Sequence, residues 1–166
     1  MIAIRLATSA DFDTIYATWL DGITHSFAGF EHPADLREQF YHNFASSHSP
    51  FAFWVAEVEG QVIGWQSLLP CTSNPLKRKL LAESSTYVTP KMQGSGAGEL
   101  LLRWVLQDAG RRGLQFVHGY VRHGNTRLAK LVEQCGFVLV SDSITPRIPP
   151  LTPVKDSWIY TVCPVE

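Results

Sequence analysis

The stretch Val88-Thr89-Pro90-Lys91-Met92-Gln93-Gly94-Ser95-Gly96-Ala97-Gly98-Glu99 decides the fold. Upstream, Leu80 to Val88 reads as a strand, and Pro90, which cannot donate to a sheet ladder, ends it. Downstream, Leu100 to Arg112 reads as a helix with Leu101, Trp104, Val105 and Ala109 on one face, closed by Gly110 and Gly113. Between them, three glycines at every second position carry no Cβ to hold a ligand away from the backbone. They also permit the positive φ angles that turn successive N–H groups toward one point. With the positive end of the helix dipole behind them, these groups make a socket for a phosphate or pyrophosphate.

Working outward, Ile2 to Leu6 alternates as a strand. Thr8 and Asp11 then form an acidic capping box. Phe12, Ile15, Tyr16, Trp19 and Leu20 recur at helical spacing, giving a helix to about Leu20 or Ile23. A second helix is expected over Ala34 to Phe44. Phe51 to Val58 and Gln61 to Leu69 form a hairpin about Glu59-Gly60, and Pro70 to Pro75 is a loop. Beyond the long helix, Leu114 to Val121 reads as a strand. Asn125 caps a fourth helix ending at Gly136, and Phe137 to Val140 is again a strand. Ile144 to Pro153, with four prolines, is expected as a loop before a closing strand, Trp158 to Val162. The order β-α-α-β-β-β-α-β-α-β-β describes one α/β domain spanning residues 1–166, built on a single mixed sheet.

Composition narrows the function classes. The chain has 166 residues, 45% of them apolar and 17% charged, which suits a packed core. Its net charge of −1 gives no reason to expect nucleic acid or an anionic membrane as partner. Lys77-Arg78-Lys79, the one basic cluster, reads as a solvated loop. Cys71, Cys135 and Cys163 are odd in number and widely spaced. They suggest neither a disulfide framework nor a metal site, and favour a cytoplasmic location. No apolar run approaches the ~18 residues of a membrane span.

Which phosphate fits the socket? A P-loop needs Lys-Ser or Lys-Thr after its glycines, and none follows here. A dinucleotide fold needs G-x-G-x-x-G and an acid after the next strand. Here the third glycine comes one place early, and the next strand ends in Val121-Arg122. Instead, Val88-x-Pro90-x-x-Gln93-Gly94-x-Gly96-x-Gly98 resembles the pyrophosphate loop of the GNAT superfamily of acetyl-CoA-dependent N-acyltransferases. A second block, Asn125, Leu131, Gly136 and Phe137, is similar to that family's N-x-x-A-x-x-L-Y-x-x-x-G-F. Glu83-Ser84-Ser85-Thr86-Tyr87-Val88-Thr89-Pro90 further resembles the E-H-S-V-Y-V-H-P of the phosphinothricin acetyltransferase-like branch.

The resemblance implies a mostly antiparallel, twisted sheet of about seven strands flanked by about four helices. It also implies acetyl transfer from acetyl-CoA to the primary amine of a small molecule, with no metal, and a homodimer. The acyl donor would be held by Tyr87, Val88, Gln93, Gly94, Ser95, Gly96, Ala97, Gly98, Asn125 and Lys130, with Lys91 and Arg127 as further cations. Its pantetheine arm would lie between the strand ending at Val88 and the next one. Backbone N–H groups near Tyr87 and Val88 would serve its amides and the developing oxyanion.

On a strand Glu83, Ser85 and Tyr87 share a face, so the Glu83 carboxylate can stand upstream of the reacting carbon as general base. The family position for a general acid holds Val132, which donates no proton. Tyr120 is therefore the expected second catalytic residue, with His123 a further group nearby. Leu128 replaces a small residue expected beside the arm. Phe27, Phe30 and Trp65 are expected to line the acceptor side, and a carboxylate on the acceptor would pair with Arg78 or Arg147. Two alternatives stand beside the enzyme: an acetyl-CoA-binding regulatory module, suggested by Val132, and a transferase acting on peptide or protein N-termini.

Overall fold

The computed structural model describes residues 1–26, 31–142 and 157–164. In chain order the elements are β1 (Ala3–Leu6), α1 (Phe12–Ser26), α2 (Leu36–Ala45), β2 (Ala52–Val58), β3 (Gln61–Pro70) and β4 (Leu81–Val88). They continue with α3 (Ala97–Arg111), β5 (Phe116–Arg122), α4 (Thr126–Gln134), β6 (Val138–Asp142) and β7 (Ser157–Val162). The strands form one seven-stranded sheet in the order β1-β2-β3-β4-β5-β7-β6. Every pairing is antiparallel except β4 with β5. This is the mixed, mostly antiparallel sheet with four helices that the motif order implies. The proline-rich Ile144 to Pro153 lies outside the described residues.

Alternation along the strands sorts the side chains into two cores. Trp54, Leu68, Val117 and Val121 pack under α3 and α4 with Leu101, Val105 and Phe137. Phe53, Val55 and Trp65 face the other way and pack with Phe12, Ile15 and Trp19 of α1 and Phe40 of α2. The capping box is present, but it opens with a 3-10 turn (Ser9–Asp11) before α1 begins. The Asp11 carboxylate accepts the Thr8 N–H at 2.7 Å and a two-pronged Arg5 guanidinium at 2.8 and 3.0 Å. Arg5 also reaches Glu57 at 2.9 Å. One guanidinium therefore ties β1, β2 and the start of α1, and it holds the Asp11 carboxyl down near a pKa of about 2.

α1 runs about one turn further than its apolar spacing indicates, straight through Gly22. Packing overrides propensity there. A Cβ on Gly22 would stand 2.6 Å from Cδ1 of the Tyr87 ring, which is stacked on the buried Trp65 with centroids 5.1 Å apart. Moving the ring aside means disturbing that stack. Gly22→Ala should therefore destabilise the protein by about 1–3 kcal/mol through overpacking, although alanine favours a helix by about 1 kcal/mol over glycine. A higher melting temperature for the variant would refute this account of the packing.

α3 likewise starts three residues early, at Ala97, so the last part of the glycine stretch is its first turn.

Candidate active site

β4 and β5 pair only from Leu81–Phe116 to Ser84–Gly119. Beyond that rung β4 continues to Val88 and β5 to Arg122 without pairing, so the two strands part into a V. Backbone direction along β4 follows from two bonds. Thr89 N–H donates to the Ile63 carbonyl of β3, while the Leu80 carbonyl accepts from Gln115 and Phe116 on the β5 side. Groups alternate along an antiparallel strand. Odd residues, Tyr87 included, therefore bond to β3, and even residues face β5. Thr86 and Val88 are the even residues that lie past the last β4–β5 rung. Their N–H and C=O groups open into the V. Of the two donors expected for the pantetheine arm and oxyanion, the Val88 N–H is thus in place, whereas the Tyr87 N–H belongs to the β3 ladder.

The glycine stretch lies at the mouth of this V. Gly94 and Gly96 have φ of +87° and +88°, the left-handed conformation that glycine supplies without strain. Gly98 does not share it: this residue sits inside α3, where a Cβ would only touch Val88 Cγ2 at 3.6 Å. Gly96 is the N-cap, and the first intrahelical bond runs from Leu100 N–H to the Gly96 carbonyl. The N–H groups of Gly98 and Glu99 are therefore left pointing out of the helix end, as the first turn of any helix requires. Ala97 N–H makes only a long 3.4 Å bond to Ser95 Oγ. Gln93 and Ser95 donate their own N–H groups back to Pro90 and Met92, which fixes the loop's curvature. This arrangement fits a pyrophosphate.

A cation completes the cradle. Arg127, in the first turn of α4, brings Nη2 within 3.2 Å of where a Gly94 Cβ would stand. The N-termini of α3 and α4 thus flank the mouth of the V, and Arg127 reaches across it. Lys130 is exposed one turn further on, and Lys91 is exposed in the 3-10 turn. Asn125 does what an N-cap does, accepting Leu128 N–H at 3.1 Å. Arg127→Gln should raise the KM for acetyl-CoA roughly tenfold, the worth of one hydrogen bond to a charged group, and flatten its dependence on salt. Lys130→Gln should move it far less; equal effects would take Arg127 out of the cradle.

Glu83 stands on the last rung but one before the strands part. It is 5% exposed, and burial alone pushes its carboxyl up to about 8. It forms part of the lining of a cavity of about 260 Å³ with Ser85, Leu69, Phe51, Arg78 and Lys79, closed on the far side by His42 and Ser46–Pro50 after α2. Among the described residues, Glu83 is the only acidic one in that lining. Neither Arg78 nor Lys79 has an acidic partner among the described residues. The basic cluster is an exposed turn, as its composition suggests, and two of its residues, Arg78 and Lys79, also border the cavity.

Tyr120 lies on the same sheet face, half-buried, its hydroxyl pushed up to about 12 by burial and by the nearby Glu83 charge. Val132 is buried in the core beneath α3 and α4, and Leu128 packs against that core. His123 lies against Trp158 with the rings tilted by 50° and centroids 4.9 Å apart.

The acceptor side differs from expectation. Trp65 is fully buried, so it backs the wall by holding the Tyr87 ring and has no surface of its own to offer a ligand. Phe27, Phe30 and Arg147 lie outside the described residues. The wall segment after α2 is invisible in the sequence because Ser46-Ser47-His48-Ser49-Pro50 carries no periodic or motif signal. Among the described residues no cluster of His, Cys, Asp and Glu could hold a metal, and no helix is long and apolar enough to cross a membrane.

The profile of the acetyltransferase (GNAT) family matches residues 16–137. The chain belongs to that family. Among curated relatives, it is 35% identical over 79 residues to N-acetyltransferase 8 of Rattus norvegicus, a match covering 46% of this chain and 36% of that protein. The chain thus spans well under two thirds of that relative. Two solved structures overlay along all or nearly all of this chain and show the same fold. One is described provisionally as a phosphinothricin N-acetyltransferase, with a TM-score of 0.82, 23% identity and complete coverage of both chains. The other is a GNAT superfamily phosphinothricin acetyltransferase from Sinorhizobium meliloti in complex with acetyl-CoA. It has a TM-score of 0.79 and 20% identity, covering 99% of this chain and 89% of that one.

Proposed function

We propose that this chain transfers an acetyl group from acetyl-CoA to the primary amine of a small molecule, by direct attack while both are bound. The observation that carries this is the position of Glu83. It faces the cavity while its strand, a few residues on, opens its backbone into the V. Bound acetyl-CoA supplies an activated acyl carbon and a thiolate leaving group. Arg127, the α3 N-terminus and the glycine N–H groups hold its phosphates, and the Thr86 and Val88 backbone groups hold its arm.

Acceptor amines arrive protonated. A neutral Glu83 in a buried wall ionises when an ammonium binds beside it, because the cation offsets the desolvation of the carboxylate. The carboxylate then accepts the ammonium proton and frees the nitrogen lone pair. Val88 N–H, preorganised in the V, donates to the oxygen where negative charge develops. Val132 is sealed in the core, so no acid stands at the family position. The departing thiolate, weakly basic near neutral pH, either leaves without one or takes a proton from Tyr120, whose hydroxyl stays protonated on the Glu83 face of the sheet.

Arg78 and Lys79 on the cavity wall favour an amino acid analogue over a polycationic amine-bearing antibiotic. Their charges attract an anionic group on the acceptor and repel additional ammonium groups. The three cysteines are free thiols, in keeping with a reducing cytoplasm.

A thiol-release assay with acetyl-CoA tests the reading against amino acids, their phosphonate analogues, aminoglycoside-type polyamines and short peptides. Turnover should be highest with the anionic small amines and fall when Arg78 and Lys79 are replaced by glutamine. Turnover on peptides alone would reassign the acceptor to protein N-termini. Binding of acetyl-CoA with no turnover on any amine would leave the regulatory module, the alternative that Val132 favours.

A further inference from the structure

Each turnover would load a proton onto Glu83, and a carboxyl that is 5% exposed sheds protons slowly unless another group takes them. The neighbour across the next strand is His118, the Cα partner of Glu83 in the β4–β5 pair. Adjacent strands lie about 4.8 Å apart. Both side chains point to the α1 and α2 face, because Ala82 and Val117, one residue before each, are buried in the opposite core. This rung is the last with both side chains on that face before β4 and β5 separate.

The imidazole is held from one side. Its Nδ1 hydrogen-bonds Thr161 Oγ1 of β7, the residue opposite His118 in the β5–β7 pair. With Nδ1 turned to β7, away from β4, Nε2 is the nitrogen left for a second partner. The ring is half-buried, so part of it meets water while its strand position is directly beside Glu83.

We propose that His118, oriented by Thr161, relays protons between Glu83 and solvent; the proposal rests on Glu83 acting as base. The steps balance. An ammonium N–H bond breaks as the Glu83 O–H forms. That O–H breaks as the His118 Nε2–H forms, giving an imidazolium with Nδ1–H still donating to Thr161. The imidazolium then gives its Nε2 proton to water and returns to neutral. His118 touches neither substrate in this scheme and is a positioning and relay residue.

The surroundings favour sharing one proton. Burial pushes the Glu83 carboxyl up and the His118 imidazole down. The other titratable groups nearby are Tyr120 and Arg122 on β5, Cys71 after β3, and His42, His48, Arg78 and Lys79 on the cavity wall. From β7 come only Thr161 and Ile159, which do not titrate. Tyr120 and Cys71 both have their protons held on by burial and by the Glu83 charge, to about 12. They stay neutral where Glu83 and His118 exchange.

NMR titration of the His118 ring in the intact protein, with no acceptor present, is the first test. Wild type should show two inflections, one below the ordinary histidine range and one shared with Glu83. Glu83→Gln should leave a single, low one. A single inflection in wild type, unmoved by Glu83→Gln, overturns the relay. Kinetics with the best acceptor from the amine panel is the second. His118→Gln should lower kcat/KM roughly tenfold at neutral pH, with partial rescue by added imidazole and unchanged acetyl-CoA affinity. Thr161→Val should give a milder version. If Glu83→Gln loses activity while His118→Gln keeps the wild-type rate and pH profile, only the relay fails. If Glu83→Gln keeps its rate, the base assignment fails with it.

Discussion

Glu83→Gln should lower kcat/KM by roughly 10²–10⁴-fold, the usual worth of a positioned base, and abolish the rise in rate with pH. The pH dependence follows from burial. With its carboxyl pushed up to about 8, Glu83 in the free enzyme is mostly protonated at neutral pH, so wild-type kcat/KM should climb until about pH 8 and then level off. The same variant should be more stable than wild type in alkali. Unfolded, the carboxyl ionises near its ordinary value of 4.5; folded, it holds its proton to about 8. Between those values the unfolded state has released a proton that the folded state still carries. Folding stability therefore declines as pH rises across that window, and it does not return above it. Glutamine removes the penalty, which on these values is on the order of a few kcal/mol. Melting curves at pH 5 and pH 9 should show the variant's advantage growing with pH. A constant difference would mean that Glu83 is not desolvated, and a retained rate would remove it from the chemistry.

Gly96→Val should raise the KM for acetyl-CoA by roughly 10- to 100-fold, the worth of one or two hydrogen bonds to a charged group, and leave the KM for the amine within about twofold. Space is not the obstacle, since a Cβ there meets nothing within 4 Å. Conformation is. At φ +88° an L-residue pays roughly 1–2 kcal/mol, and a β-branched one more. The chain relieves that strain by rotating the N-cap, which swings the donors of the first turn of α3 away from their common focus. Gly96→Ala should sit between valine and wild type. Steady-state kinetics with each substrate varied in turn decides the matter. Equal changes in both KM values would reduce the glycines to a structural turn.

The strand–glycine–helix stretch was legible because local chemistry settles it: Pro90 must leave the ladder, and Gly94 and Gly96 take up left-handed φ. The facing of Glu83 was legible too, since strand alternation needs no tertiary information. Gly98 misled, because a glycine at a regular interval looks like a loop residue even when it occupies the first turn of a helix. Gly22 misled in the opposite sense. Helix propensity argues against it, and its reason, the ring of Tyr87 some 65 residues along the chain, is invisible locally. Trp65 read as a ligand-facing aromatic because type and strand position do not report depth. Its depth comes from the stack with Tyr87 and from α1 and α2 lying over it. Arg127 was one surface cation among several until folding brought α4 beside Gly94. Arg78 and Lys79 gained meaning in the same way, from a cavity whose other walls lie in α2 and β3.

The single rung count along β4 also makes the strand intolerant of length changes. Inserting or deleting one residue between Ala82 and Val88 would exchange odd for even. Glu83 or its neighbours would turn into the α3 core, and the carbonyls and amides now open to the V would be used up on β3. Substitutions in the segments around Ser46–Pro50 and Lys77–Lys79 touch no such count. Acceptor preference can therefore drift by point changes in those loops while the donor half of the site stays fixed by the ladder itself.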